Sequence, residues 1–438
     1  MQVNRIQLSS DNIRKIFGRL HTKSLAKKCG VTQRKDRKFN SVDLILSLWQ
    51  LISNGEFSYD KWAIQIGILT NGKVSGQAVW KRTRTPLLEL MKQLLKKSLQ
   101  QRFDALIDSS TFKAFPNVYI QDATHFSLPQ KLSSVFPGSY SRYGYSATAK
   151  IQAIFNIKKG VFSDFKLNSF RDNDQKDAAR IAEQLNTGDL VIRDLGYFVI
   201  EAFLKIAQKG AFYLSRYKFG LSVFNSKSGK KLILLKELKR RGKIDMEIEM
   251  GANKKITCRL IAVPIPTIIA DQRRRKVKQN RHKNSNHSKE YYKLLGYTIY
   301  ITNVTKEIWP NDESVEIAYR SRWYIEILFK GWKSNLKIKL DVARQYIDQQ
   351  RAELLCYGSL LMVCVLVMPI FINAHKHVIE KKRQISILKT CAFINQHLGL
   401  ILQSKSLGMI LDQIQYFCVY ESRNDRQNAI ENMLKPAS

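Results

Sequence analysis

Over roughly the first 115 positions, apolar residues recur every three or four residues. Ser41-Val-Asp-Leu-Ile-Leu-Ser-Leu-Trp-Gln-Leu-Ile52 and Leu87-Leu-Glu-Leu-Met-Lys-Gln-Leu-Leu-Lys-Lys97 show it best, and that period lays one apolar stripe along a helix. Residues 1–115 are therefore predicted to be all helical. Within them Tyr59-Asp-Lys-Trp-Ala-Ile-Gln-Ile-Gly67, a polar break at Asn71-Gly72, and Val74-Ser-Gly-Gln-Ala-Val-Trp-Lys-Arg82 predict helix, turn, helix. Ser75 is placed to cap the second helix, leaving Gln77, Lys81 and Arg82 facing outward. A plain helical hairpin would produce the same pattern.

From about Asn117 the period changes to that of strands. Val118-Tyr-Ile-Gln-Asp122, Ala149–Ile157 and Val161–Phe170 are predicted strands, then a helix over about Gln175–Leu185, then strands at Leu190–Asp194 and Ala211–Arg216. Asp122 and Asp194 end the first and fourth of these strands, each followed by a turn, Ala123-Thr124 and Leu195-Gly196-Tyr197. Three strands, a helix and a further strand follow the order of an α/β, ribonuclease H-like core, a mixed sheet flanked by helices. Residues 217–295 read as a β-rich insertion, with strands at Ile244–Glu249 and Cys258–Val263. Its basic run, Arg273-Arg-Arg-Lys-Val-Lys278 continuing to Lys293, is expected to be a flexible loop. A strand at Tyr297–Thr302 and a helix over Asn311–Lys333 return to the core, and the rest, to Ser438, is helical. The predicted regions are thus 1–115, a core of 116–216 and 296–345, the insertion 217–295, and a helical 346–438.

Charge narrows the partner. Lys and Arg number 73 against 36 for Asp and Glu, a formal net charge of +37. Such an excess suits a polyanion, because cations that neutralise phosphates release condensed counterions. Double-stranded DNA is the expected partner, with a merely solvated surface or an anionic membrane as the alternatives. On that reading Gln77, Lys81 and Arg82 face a groove, and Arg273, Arg274 and Arg275 reach for phosphate. The six cysteines are scattered without metal-ligand spacing and are read as reduced thiols. Met1–Ser10 lacks the apolar run of a secretory signal. Leu354–Ala374 is uncharged and long enough to span a bilayer, but Gly358, Ser359, Pro369 and Asn373 interrupt it. It is read as a buried core helix, with no membrane partner, in a cytoplasmic protein associated with the nucleoid.

The candidate chemistry lies late in the chain. Tyr319, Arg322, Glu326 and Lys333 have the spacing Y-x2-R-x3-E-x6-K, and steps of three, four and seven return to one helix face. That face carries a phenol, two cations and a carboxylate, although stripes of Arg, Glu and Lys also decorate ordinary surface helices. The two strand-end aspartates make the difference. Asp122, Asp194 and Glu326 form a set suited to a pair of hard divalent cations for phosphoryl transfer.

These residues resemble those of the transposases of insertion-sequence family four, which share a transposase DDE domain and a YREK signature. The likeness rests on Tyr119-Ile-Gln-Asp-Ala-Thr124, on Ile192-Arg-Asp-Leu-Gly-Tyr197, and on Tyr319, Arg322, Glu326 and Lys333. Leu195 departs from the Asp-Gly or Asp-Arg-Gly form expected after the second carboxylate. The resemblance implies that Asp122, Asp194 and Glu326 bind two Mg2+ ions, with Mn2+ as a substitute. It implies that Arg322 and Lys333 hold phosphates near the transposon end, assisted by Tyr319. It further implies cut-and-paste cleavage and strand transfer at terminal inverted repeats, in a homodimer that holds both ends and target DNA. An inactive derivative that only binds DNA, as a transposition repressor, is the alternative, and a nuclease without strand transfer is a third reading. His125 is read as structural or DNA-facing. Trp309, Trp323 and Trp332 are read as core residues before stacking platforms.

Overall fold

A computed structural model describes residues 12–32, 38–55, 57–100, 110–142, 144–252, 255–279, 287–336, 348–379 and 383–420. The chain forms two compact units. Unit 1 comprises Met1–Asp108, Asp122–Asp172 and Trp323–Lys435; unit 2 comprises Ser109–Gln121, Asn173–Arg322 and Pro436–Ser438.

Unit 1 begins with helices at Ile13–Arg19, Thr22–Lys28, Ser41–Asn54, Tyr59–Thr70, Gly76–Arg82 and Thr85–Leu99. Local chemistry sets their ends. Asn40 and Asp43 form a reciprocal capping box at the start of Ser41–Asn54, and Gly55, with φ of 71°, stops it in the left-handed region. Ser75 caps Gly76–Arg82 by accepting from the Ala78 N–H at 3.3 Å, as its position predicts. The same unit holds the C-terminal helices. Trp49 Nε1 donates to the Gly358 carbonyl at 2.9 Å, and a Cβ on Gly358 would stand 2.9 Å from Leu48. A side chain at 358 would make Leu48 shift, so the glycine eases the close approach of the two helices. The apolar helix, Gln349–Met362 running through a π-turn into Met368–Ile379, has 94% of its most apolar window buried. That burial is what a core helix requires.

The strands are β1 (Val118–Leu128), β2 (Pro137–Ser141), β3 (Gly144–Asn156), β4 (Val161–Ser169), β5 (Leu190–Arg193), β6 (Phe212–Arg216), β7 (Val223–Asn225), β8 (Ile244–Met250), β9 (Ile256–Pro264) and β10 (Tyr297–Thr302). In unit 1, β2, β3 and β4 form an antiparallel meander. In unit 2, Val118–Gln121 of β1 pair in parallel with β5, and β5 pairs in parallel with β6. β10 is antiparallel to β6 and to β9, and β9, β8 and β7 continue antiparallel. β1 contributes to both units, with β3 and β5 as its neighbours. The order β4, β3, β1, β5, β6, with β5 and β6 parallel to β1, is that of a ribonuclease H-like mixed sheet.

Four expectations need correction. Asp122 does not end its strand: β1 runs on to Leu128, and Thr124 to Leu128 alternate buried and exposed as a half-buried strand does. The helix expected over 175–185 breaks into Asp174–Asp177 and a tight turn at Arg180–Glu183. Its carbonyls are diverted, since Asp177 O accepts from Gln121 Nε2 and Ala178 O from Arg193 Nη2. Arg273–Lys278 of the basic run lie in the helix Thr267–Gln279 and Lys289–Lys293 in the helix Lys289–Leu294, not in a loop; residues 280–286 of the run lie outside the described residues. Ala270, Arg273, Arg274 and Val277, at helical spacing, are the less exposed face of Thr267–Gln279, so arginine stems serve as the inward stripe. Finally, the helix expected over 311–333 is interrupted at Ser321–Arg322, between Asp312–Arg320 and Trp323–Lys330, and then enters a π-turn at Gly331–Asn335. Ser321 Oγ donates back to Ala318 O at 2.6 Å at the break. The four spaced residues therefore do not lie on one uninterrupted helix.

Candidate active site

In unit 2, Asp194 follows the last residue of β5 and opens the turn Leu195–Tyr197, its carbonyl accepting from the Tyr197 N–H at 3.1 Å. Arg322 Nε lies 4.0 Å from Asp194 Oδ1. The arginine side chain is 10% exposed and the aspartate 46%, so a held cation stands behind a reachable anion. Tyr319 is buried nearby, with the guanidinium carbons of Arg322 and Arg216 at 5.9 and 5.6 Å from its ring. Burial, chiefly, raises the Tyr319 pKa, and Asp194 raises it further while both arginines oppose. The phenol accordingly keeps its proton at neutral pH. Asp174 was not anticipated: a Cβ on Gly196 would lie 3.4 Å from its Oδ2 and 3.9 Å from Asp194 Oδ2. A second carboxylate thus flanks the same turn. Nothing in its Asn173-Asp174 context distinguishes it from a helix cap.

Beneath this turn lies a buried polar network. Arg193 and Gln121 are register partners across β5 and β1, and Arg193 Nη2 donates to Gln121 Oε1 at 2.5 Å. Gln121 Nε2 in turn donates to Asp177 O at 3.1 Å and reaches Asp177 Oδ2 at 3.3 Å. Arg180 Nε holds Asp177 Oδ1 at 2.8 Å. Burial draws the Arg193 pKa down to about 10, opposed by Tyr197 and Asp177. The residues immediately before the two aspartates are therefore tied to each other through side chains.

Unit 1 carries Asp122, Glu326 and Lys333. Asp122 Oδ1 accepts from the Ala123 N–H at 2.8 Å. Glu326 is half-exposed on Trp323–Lys330, whose other face buries Tyr324, Ile325, Leu328 and Phe329. Tyr324 packs 5.5 Å from Phe155 of β3, and Trp332 packs 5.0 Å from Phe162 of β4. Those aromatic contacts fix the helix and its carboxylate to the meander. Lys333 Nζ lies 5.6 Å from the Phe126 ring, and burial lowers its pKa. His125 packs edge-on against Phe170 at 5.4 Å. Its pKa is lowered by burial, then by Lys333 and Lys150.

The other expected contacts divide. Gln77 and Lys81 are exposed, whereas Arg82 Nη1 donates to the Phe39 carbonyl at 2.7 Å and its guanidinium lies 4.5 Å from the Phe39 ring. Arg273 reaches Tyr297 O and Thr298 Oγ1, both at 3.3 Å. Arg274 holds Tyr292 O and pairs with Asp271 at 2.8 Å. Arg275 is exposed. Trp309 and Trp332 are buried, as expected of core residues, while Trp323 is exposed.

Residues 113–364 match the family described as Transposase DDE domain. The transposase for insertion sequence element IS231B of Bacillus thuringiensis subsp. berliner is 28% identical over 425 residues, covering 92% of this chain and 87% of that protein. The transposase for IS231D of Bacillus thuringiensis subsp. finitimus is 28% identical, covering 87% and 83%. The transposase for IS1151 of Clostridium perfringens is 23% identical, covering 85% and 84%. A cryo-EM structure of the piggyBac transposase synaptic complex with hairpin DNA aligns over 98% of this chain and 91% of that one, at 9% identity and a TM-score of 0.45. So slight a likeness carries neither residues nor function across.

The chain belongs to the transposase DDE domain family. It is a bacterial insertion-sequence DDE transposase, an enzyme that acts on DNA in transposition.

Enzymes of this family use divalent metal ions. Three carboxylates are the hard oxygen donors such ions prefer, so the donor chemistry fits. Asp122 and Glu326 belong to unit 1 and Asp194 to unit 2. Among the described residues, no group of three or more His, Cys, Asp or Glu side chains is gathered at metal-holding distance.

Proposed function

We propose that Asp122, Asp194 and Glu326 together hold two Mg2+ ions, replaceable by Mn2+, in the active form of the enzyme on DNA. The reaction is cut-and-paste transposition: cleavage at the terminal inverted repeats of an insertion sequence, then joining of the freed 3′ ends to target DNA. Bound ions would activate the attacking hydroxyl and stabilise the leaving oxygen in an in-line displacement. Arg322 donates to phosphate oxygens beside Asp194, and its planar fork fixes their orientation. Tyr319, kept protonated, braces that guanidinium. Lys333 supplies a second cation, one whose charge burial disfavours and a phosphate would stabilise. Residues 1–115 read the DNA through Gln77, Lys81 and Arg82. The core is 116–216 and 296–345; the insertion 217–295 adds phosphate contacts from Arg273, Arg274 and Arg275, chiefly Arg275. Helices of 346–438 support the core. A homodimer holds both ends, in the cytoplasm at the nucleoid.

One observation supports this reading most: Asp194 and Arg322, distant in sequence, stand 4.0 Å apart behind Tyr319. The test is cleavage of a labelled terminal-repeat duplex in Mg2+. Asp194→Asn and Glu326→Gln should each lower the rate by on the order of a thousandfold, the scale of several kcal/mol of lost charge stabilisation. Binding of the duplex should survive. Wild-type cleavage by either variant would remove the assignment.

A further inference from the structure

The β2–β3 hairpin of unit 1 carries aromatic surface that the reading above leaves unused. Tyr140 and Tyr145 are register partners across the two strands. Their rings meet edge-on, centroids 5.0 Å apart with planes at 63°. Tyr140 is 72% exposed and Tyr145 36%, so ring surface of both reaches solvent. The guanidinium of Arg171 lies 4.7 Å from the Tyr145 ring centroid, adding a cation to the platform. The support is rigid. A Cβ on Gly138 would stand 2.5 Å from Ser146 Oγ and from Thr148 Oγ1, so only glycine lets the strands press together there. Gln130 Nε2 donates to the Tyr145 carbonyl at 2.5 Å, anchoring the hairpin from outside it.

Charge selects the occupant. No Asp or Glu occurs between Asp122 and Asp164, a stretch that contains Lys131, Arg142, Lys150, Lys158 and Lys159. An aromatic pair with a guanidinium beside it, on a hairpin whose own sequence is basic and free of acids, suits a polyanion that also offers flat apolar faces. Duplex DNA hides its base faces in the stack; unpaired DNA exposes them.

We propose that Tyr140 and Tyr145, with Arg171, form a stacking site for unpaired bases of single-stranded DNA. The proposal rests on the enzyme's action on DNA. Its test reads binding alone, so the fate of the carboxylate assignment does not decide it.

The probe is a fluorescein-labelled thymidylate strand of about sixteen nucleotides, the upper end of what one such site spans, compared with a mixed-sequence duplex of equal length. Fluorescence anisotropy is measured on the full chain. Tyr140→Ala with Tyr145→Ala should weaken single-strand binding about tenfold or more, the scale of one or two lost base–aromatic stacks. Duplex binding should stay within about twofold of wild type, since its main contacts are to phosphates. Tyr140→Phe with Tyr145→Phe keeps the rings and should bind the thymidylate strand like wild type. Equal loss on both probes, unchanged single-strand binding in the alanine variant, or failure of the phenylalanine variant to bind would each overturn the site.

Discussion

The acidic residues of the two units keep different electrostatic company. Around Asp194 the cations are already held by protein: Arg322 stands 4.0 Å away and mostly buried, and Arg216 lies against the Tyr319 ring. In unit 1, by contrast, His125 and Lys333 both have lowered pKa values, with burial as the leading cause and further cations acting on His125. Unit 2 therefore presents an anion whose counter-charge is built in. Unit 1 presents in Lys333 a cation whose charge burial disfavours and a phosphate would stabilise, beside an imidazole held toward its neutral form. On the proposed reading, the first arrangement orients and the second attracts.

Substitutions can separate the two roles. The largest effect on stability is expected from Gln121→Leu, which takes from the buried Arg193 guanidinium one of its two acceptors and leaves it Ala178 O. Losing one hydrogen bond to a buried charge costs about 2 kcal/mol, so the melting temperature should fall by a few degrees. An unchanged melting curve would mean the network holds nothing in place. Lys333→Ala should weaken terminal-repeat binding about tenfold and reduce the salt slope of log Kd by about one. The pH dependence follows from the sign of the shift. A lysine with a lowered pKa loses its proton, as pH rises, before an ordinary lysine does. The binding deficit of Lys333→Ala should thus shrink as pH rises, starting below the pH at which an ordinary lysine titrates; a constant deficit would assign the residue a packing role. The smallest effect belongs to His125→Asn. With its pKa lowered, the imidazole is neutral at pH 7.5 or so, and the salt slope should not move. A drop of about one would show that the histidine binds phosphate as a cation.

Much of the sheet was legible because strand alternation is a local property. The runs at 118–122, 149–157, 161–170, 190–194, 211–216, 244–249, 258–263 and 297–302 each fall on a strand, although β1 runs six residues further and β3 starts five residues earlier than expected. Two of the failures share a cause, which is that distant side chains decided the local structure. Asp177 and Ala178 lose their helical acceptor roles to Gln121 and Arg193, from other strands. Arg273 and Arg274 look solvated in sequence, yet their donors are taken up by Tyr297, Thr298 and Tyr292. The reading of Asp122 as a strand end was a local error, since the alternation through His125, Phe126 and Ser127 is visible in the sequence. The spacing of Tyr319, Arg322 and Glu326 survives as a signature, but its geometric rationale does not cross the break at Ser321–Arg322. Of the site itself, the charge types were legible. Asp174 and the Arg193–Gln121 tie depend on contacts that no spacing announces.

The joining of Trp49 to Gly358, and of Ser53 to Asn395 at 2.5 Å, has a consequence for biosynthesis. The early helices of unit 1 finish their packing against segments made more than three hundred residues later, as the 309-residue separation of the first pair records. A nascent chain that ends before Gly358 lacks the carbonyl to which Trp49 Nε1 donates, although Trp49 keeps its contact with Phe17. Premature termination therefore leaves the first helices of unit 1 without contacts that only the full chain supplies.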